Sequence, residues 1–512
     1  MFEALSKAIA RRPLAAIFCL GAAFLLALLV LVDTDHVLTT ALGQSSNDQV
    51  GYISVARNLA ESGKLESSLV YPSVIHQQTT SNAFYVPGHY YALALSFRLL
   101  AYSPLSAFAP SLLGYLVASC ALFIAVRRFY DQTTASLATL IFMTFPAHLI
   151  YSGMAMAEMT LLAACMLCFA VFLFVPRTWK PYAGPLLLFL PVAFRETGAI
   201  LVLPMAAVLI ARSPGARVKD AVVMALLSLA IVALEVGVLF GGRPSLFTAN
   251  VFGGGFFTKY GDAFFQEQLS PTVDDWMIAI SKNFARNLDT LLMIDGRPLV
   301  ETGSLWFLFA AIPVGAALAL RNRDLLLCSC SAVAAMLATV LMALYAIPGF
   351  KGVRFMLIAQ PFAAVVFSRL LLGMFGREQH QKLLVTALVA GTLIGGMGVW
   401  SAFRDQEALR AREVSDAAFL ETLGHDETRL LVAPFWISFQ YVLRNFPATW
   451  SFLPTDRRSL VRLSEAHRIG TLVLPVGHPL VRLKREDVLA SGFVQVESQM
   501  HRGIWFQVFR ER

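Results

Sequence analysis

Apolar residues run in blocks along this chain, and the polar residues gather between them. The blocks predict helices over 14–32, 107–126, 135–153, 158–175, 182–194, 197–211, 221–240, 304–320, 325–346, 355–373 and 383–402. Most approach the length of about 20 residues that crosses a hydrocarbon core. Residues 52–61 show helical spacing, with Tyr52, Val55, Ala56 and Leu59 on one face, and read as an amphipathic helix lying on the membrane. Residues 88–101 are apolar and read as a second interfacial helix, and 273–293 carries a further amphipathic pattern. Past residue 402 the pattern changes. The stretches "TRLLVAP", "TLVLPV", "FVQVES" and "IWFQVF" read as strands, with helical spacing over 406–423 and 457–468.

Composition agrees with the blocks. The chain has 512 residues, of which 57% are hydrophobic and 14% charged, where a soluble chain carries roughly 25% charged residues. Mean hydropathy is +0.65. The expected fold class is therefore a polytopic α-helical membrane protein of about eleven spans. Its expected organisation is a transmembrane module over 1–402, with outer loops 33–106 and 241–303, followed by a small α/β domain over 403–512.

Charge sets the expected orientation. With Lys7, Arg11 and Arg12 in the cytoplasm, alternation puts Arg127/Arg128, Arg177/Lys180, Arg212/Arg217/Lys219, Arg321/Arg323 and Arg377/Lys382 on the same side, as the positive-inside rule requires. Reading 88–101 as a crossing would break that agreement. An odd number of spans puts the two outer loops and the tail outside. The net charge of +8 belongs to this bias, and no basic block with interleaved aromatics marks a nucleic-acid surface. The first block lacks an A-x-A cleavage site before Asp33 and is expected to be a retained helix. All six cysteines lie within apolar blocks and imply no disulfide framework. No repeat of 20–50 residues is evident, unlike the inverted repeats of many transporters.

Candidate chemistry gathers at the outer boundary. Asp48 lies in "QSSNDQ" just before the first amphipathic helix, where it reads equally as an N-cap and as a general base. Glu158, in "SGMAMAEMTLLAAC", stands as a lone carboxylate where two apolar helices meet the outer face; an ionisable group there is costly and marks a functional position, while the helix dipole alone would also favour it. Arg195, beside Glu196 in "AFRETG", and Lys351 and Arg354 in "PGFKGVRFM" lie in short outer turns that normally avoid cations. Such cations suit a lipid phosphate, Arg as a planar fork and Lys as a point charge. Pro87 and Gly88 in "YVPGHYY" make a tight turn bordered by Tyr85, His89 and Tyr90. Asp33-Thr34-Asp35 is a D-x-D triplet that would share a hard cation; a divalent metal has only that support, and no cofactor is expected.

These pieces resemble the GT-C membrane glycosyltransferases that use a polyprenyl-phosphate sugar. Within them the chain is similar to the bacterial protein O-mannosyltransferases, lipid A aminoarabinose transferases and rhizobial galacturonosyltransferases. The resemblance rests on "NDQVGYISVARNLAESGKL", "FYVPGHYYALAL", "MAEMTLLAA", "FRETGAILVLP" and "KGVRFMLIAQPF", in family order over about 14–375. It implies that Asp48 is the catalytic Asp, that Glu158 is the second-loop acid, and that Lys351 and Arg354 contact the lipid phosphate. Tyr52, Arg57, Tyr85, His89, Arg195 and Glu196 would line the substrate site. Two departures are Gln49 after Asp48, where the family often has Glu, and Val86 before Pro87. The implied partners are a polyprenyl-phosphate-linked sugar donor, a lipid, glycan or protein acceptor, and membrane lipids. The implied location is a bacterial inner membrane, with the site and tail facing the periplasm. A lipid-linked-glycan flippase or other transporter, or an O-antigen polymerase or ligase, is the alternative; a transporter would carry its polar groups along mid-membrane helix faces, where Glu235 is the main such group here.

Overall fold

The structure is a computed structural model. It describes residues 46–70, 87–211, 216–239, 299–344, 357–426, 428–434, 449–454, 456–479 and 481–512, with a few isolated positions between. The first elements are α1 (Ser46–Ser62), β1 (Leu69–Val70), α2 (Gly88–Leu100), α3 (Pro104–Phe129), α4 (Gln132–Met143) and α5 (Pro146–Ser152). There follow α6 (Ala157–Phe174), α7 (Lys180–Phe194), α8 (Val202–Ala211), α9 (Ala216–Leu239), α10 (Leu299–Asn322), α11 (Leu325–Leu344), α12 (Gln360–Met374) and α13 (His380–Thr422). The chain closes with β2 (Leu430–Ala433), β3 (Trp450–Phe452), α14 (Arg457–Ala466), β4 (Ile469–Pro475), α15 (Arg485–Ala490), β5 (Phe493–His501) and β6 (Ile504–Glu511).

The chain forms two compact units. One comprises Met1–Val32, Phe84–His89 and Phe108–Ala402, the other Asp33–Ala83, Tyr90–Ala107 and Phe403–Arg512.

The first unit is helical. Each apolar block predicted between 107 and 402 is a helix, with 197–211 divided into a 3-10 turn over Glu196–Leu201 and α8. The block at 14–32 and the pattern at 273–293 fall outside the described segments. Among the described residues three helices are long and apolar enough to cross a membrane: Leu105–Phe129, Ala157–Phe174 and Leu357–Met374. The pair α4 and α5, bent by 62°, would make a fourth. The bend has a local cause. Pro146 begins α5 and has no amide hydrogen, and the Thr144 hydroxyl donates back to the Leu140 carbonyl at 2.8 Å. Leu186 on α7, Leu229 on α9 and Leu320 on α10 stand 69%, 68% and 83% exposed. That much outward apolar surface suits hydrocarbon, not water, as the surrounding medium.

The second unit is built on one six-stranded sheet in the order β1-β3-β2-β4-β6-β5. Strands β1, β3, β2 and β4 run parallel, and β6 and β5 add an antiparallel edge. Its core includes Leu430, Val432, Leu460, Leu472, Phe493 and Phe509. The four strands expected in the tail are present as β2, β4, β5 and β6. Strand β1 comes from the polar segment between the first apolar blocks, so that segment and the tail share a sheet. At two and three residues, β1 and β3 are too short to show a period.

Two sequence expectations change here. The amphipathic helix expected over 52–61 begins earlier, at Ser46, so Asp48 lies inside α1 and is not its preceding cap. The helix expected to end at 402 runs on without a break to Thr422. Its last turns are held by Asp416, 2% exposed, whose carboxylate accepts from Arg502 Nη1 at 2.8 and 2.9 Å. His501 Nε2 lies 2.7 Å from the same carboxylate, and its ring stacks on Phe419 with centroids 4.5 Å apart. A buried acid persists because it is paired in this way.

Candidate active site

In the first unit three chain segments meet around Glu158. The turn Pro87-Gly88-His89 leads into α2. A Cβ at Gly88 would sit 2.5 Å from the Ala193 carbonyl oxygen, so only glycine lets this turn approach the end of α7. Helix α7 then stops at Arg195, which turns to extended backbone with φ −169°. The third segment is the loop Gly153–Met156 and the first turn of α6. It is fastened to α3, where the Ser111 hydroxyl donates to the Met156 carbonyl at 3.1 Å. A Cβ at Gly114 of α3 would lie 2.7 Å from the Met159 carbonyl oxygen.

Glu158 occupies the first turn of α6, where the helix dipole favours an anion. Its Oε1 accepts from Arg195 Nη1 at 2.7 Å, and the two side chains are 2% and 14% exposed. The lone carboxylate of the sequence reading is therefore an ion pair, formed by two residues separated by 36 others along the chain. His89 is fully buried and its Nδ1 lies 3.0 Å from Thr160 Oγ1. That hydroxyl donates to the Ala157 carbonyl at 2.9 Å. Burial lowers the His89 pKa to about 3, against an opposing hydrogen bond with the Ala155 backbone. The ring is thus neutral at ordinary pH and is not a second cation.

The structure therefore brings Glu158 and Arg195 together as a buried pair and sets His89 against Thr160, in the first turns of the same helix. Sequence reasoning passed over Thr160, although "AEMT" puts it two residues after the acid, because a threonine within an apolar helix has no period of its own. Gln360, the first residue of α12, was also passed over. It is 1% exposed, and neither atom of its carboxamide has a hydrogen-bond partner among the described residues.

The remaining nominated residues lie elsewhere or outside the described structure. Tyr52 is 3% exposed on α1, with its ring 5.3 Å from that of Tyr90. Arg57 sits over the Tyr102 ring at 3.8 Å and 3.9 Å from Glu61. Burial lowers its pKa, with Tyr102 and Glu61 opposing. Tyr52 and Arg57 thus pack within the second unit, alongside Asp48 on the same helix. Tyr85, Lys351, Arg354 and the Asp33–Asp35 pair lie outside the described residues, as does the Glu196 side chain. Among the described residues no cluster of three His, Cys, Asp or Glu side chains could hold a metal.

A helical unit and an α/β unit built from both ends of the chain make the fold of the GT-C membrane glycosyltransferases. Two solved proteins of that fold illustrate the similarity. The chain is similar to ArnT from Cupriavidus metallidurans, solved bound to undecaprenyl phosphate, over 96% of this chain and 98% of that one, with 12% identity and a TM-score of 0.57. The apo form of the same protein gives a TM-score of 0.52 at the same coverage and identity. It is also similar to the archaeal oligosaccharyltransferase AglB from Archaeoglobus fulgidus, solved with an inhibitory peptide and a dolichol-phosphate, over 91% of this chain and 69% of that one, with 13% identity and a TM-score of 0.55. No protein-family model matches the chain, and no curated protein matches it in sequence.

Proposed function

We propose that this protein is an integral-membrane inverting glycosyltransferase. It moves a sugar from a polyprenyl-phosphate carrier to an acceptor hydroxyl on lipopolysaccharide, another surface glycan or a protein. The observation that carries the reading is the buried Glu158–Arg195 pair at the start of α6. It sits on a fold shared with proteins solved with undecaprenyl phosphate and with dolichol-phosphate.

The chemistry follows from the groups. Asp48 takes the proton of the acceptor hydroxyl as general base. The acceptor oxygen attacks the anomeric carbon and forms the new glycosidic bond. The bond from that carbon to the carrier phosphate breaks, its electron pair leaves with the phosphate, and the configuration inverts. Charge builds on the departing phosphate, and Lys351 and Arg354 meet it as cations. Gln360, six residues after Arg354, adds a neutral donor and acceptor. Glu158, held by Arg195, orients the sugar, and the neutral His89 adds no further charge. Eleven spans in a bacterial inner membrane, with the site and tail on the periplasmic side, complete the reading. The basic residues between apolar blocks support that orientation.

Asp48→Asn tests it. Asp48 lies in the first described turn of α1, where losing its charge costs about 0.3–1 kcal/mol of helix stability. Loss of a general base is worth about 10²–10⁴ in rate. Membrane insertion should therefore persist while transfer from the lipid donor falls at least about a hundredfold. Transfer at the wild-type rate would remove Asp48 from the mechanism.

A further inference from the structure

The other end of the helical unit holds a cavity of about 800 Å³, formed by the start of α4, the ends of α10 and α12 and the start of α13. It is remote from Glu158. Helix α3 has Ser111 against the loop before Glu158 and leads at its far end to Tyr130, beside this cavity. Those two residues are roughly 28 Å apart at 1.5 Å of rise per residue.

The lining is cationic on one side and aliphatic on the other. Arg321 and Arg369 line it together with His380, and Asp131 is the carboxylate in the wall. That carboxylate caps α4, accepting from Thr134 N at 2.9 Å and Thr134 Oγ1 at 2.8 Å, and it also feels the charge of Arg369. Arg369 is held by its face, with its guanidinium carbon 4.9 Å from the centre of the Tyr130 ring. The Tyr130 hydroxyl is fixed in turn, donating to Asp324 Oδ2 at 2.8 Å. Stacking uses the guanidinium plane and leaves its edge for hydrogen bonds. Arg369 Nε is buried and has no hydrogen-bond partner among the described residues. His380 Nε2 donates to the Leu372 and Phe375 carbonyls at 3.2 and 3.1 Å, which secures the turn between α12 and α13. Leu370, Met374 and Leu384 supply the aliphatic wall.

We propose that this cavity binds the phosphate headgroup of an anionic membrane lipid, with Arg321 and Arg369 as the phosphate ligands and the aliphatic wall against the start of the acyl chains. A stacked guanidinium with an unmet buried N–H calls for an acceptor anion. The adjoining leucines and methionine call for a ligand that is apolar a few ångströms beyond its charge. A phospholipid has both parts, and inorganic phosphate has only the first.

The test uses the purified full chain in detergent. Phosphatidylglycerol, phosphatidylcholine and inorganic phosphate are added separately, and retained lipid is counted by native mass spectrometry alongside the thermal midpoint. Phosphatidylglycerol should bind more tightly than phosphatidylcholine and raise the midpoint. The double variant Arg321→Gln/Arg369→Gln should weaken it about a hundredfold or more, since each lost charge-assisted hydrogen bond is worth about tenfold or more. A second variant keeps both arginines. Gly373 lines the cavity, and a Cβ there meets nothing within 4 Å, so Gly373→Trp fills the space without displacing the helix and should also abolish the selectivity. Wild-type phosphatidylglycerol binding in either folded variant overturns the proposal. Equal protection by inorganic phosphate overturns the lipid assignment.

Discussion

The Glu158–Arg195 pair gives the sharpest test of the site. The two charges meet at 2.7 Å with the acid 2% exposed and the base 14% exposed. Breaking a buried pair by removing one partner typically costs about 3–5 kcal/mol, because the other charge is left desolvated and unmet. The cost should be unequal. Arg195→Met strands the more deeply buried carboxylate, whereas Glu158→Gln strands a guanidinium that can reach some solvent and still bond to the amide. Arg195→Met should therefore be the less stable of the two single variants. The double variant Glu158→Gln/Arg195→Met leaves no unpaired charge and should regain part of the loss, with a coupling of about 2–3 kcal/mol. Thermal midpoints of the four proteins in one detergent read the cycle, and transfer from a lipid-linked sugar is measured on the same samples. All three variants should lose transfer, since recovered packing does not restore the acid. Additive losses of stability, or an Arg195→Met protein as stable as wild type, would refute the buried pair. A double variant that transfers normally would refute the functional role while leaving the pair as structure.

Two further outcomes follow from the same site. Gly88→Ala forces a Cβ to within 2.5 Å of a backbone oxygen and 2.8 Å of its carbon, neither of which can rotate away; it should cost about 1–3 kcal/mol, read as a lower thermal midpoint and yield, and an unchanged midpoint would show that the turn and α7 are not in contact. His89, lowered by burial from 6.5 to about 3, binds fewer protons folded than unfolded between those values. Its effect is absent above pH 6.5, and as pH falls below that it removes stability at up to about 1.4 kcal/mol per pH unit. His89→Gln should flatten that acid limb in a pH series of thermal midpoints, and an identical slope would argue against a buried neutral imidazole.

Much of this molecule is legible in the chain itself. Apolar blocks long enough to span hydrocarbon dictate helices, because no other arrangement satisfies their backbone groups within lipid. Each block described between 107 and 402 is helical. The short apolar runs "TLVLPV" and "IWFQVF" likewise announced β4 and β6, and β4 is buried at every position. A charged residue at the end of an apolar block marked Glu158 and Arg195 one at a time, since each was individually costly there. Pairing them was another matter. The contact depends on α7 ending beside the start of α6, which in turn depends on the close approaches at Gly88 and Gly114, and no local pattern encodes a distance between helix ends. For the same reason strand β1, two residues long, was invisible: its stability comes from hydrogen bonds to β3, about 380 residues away along the chain, and not from its own sequence. The continuation of α13 to Thr422 and the Asp416 clamp on Arg502 and His501 belong to the same class. Period and polarity decided which segments are helices and which residues are chemically costly; only the tertiary contacts decided which of those residues meet.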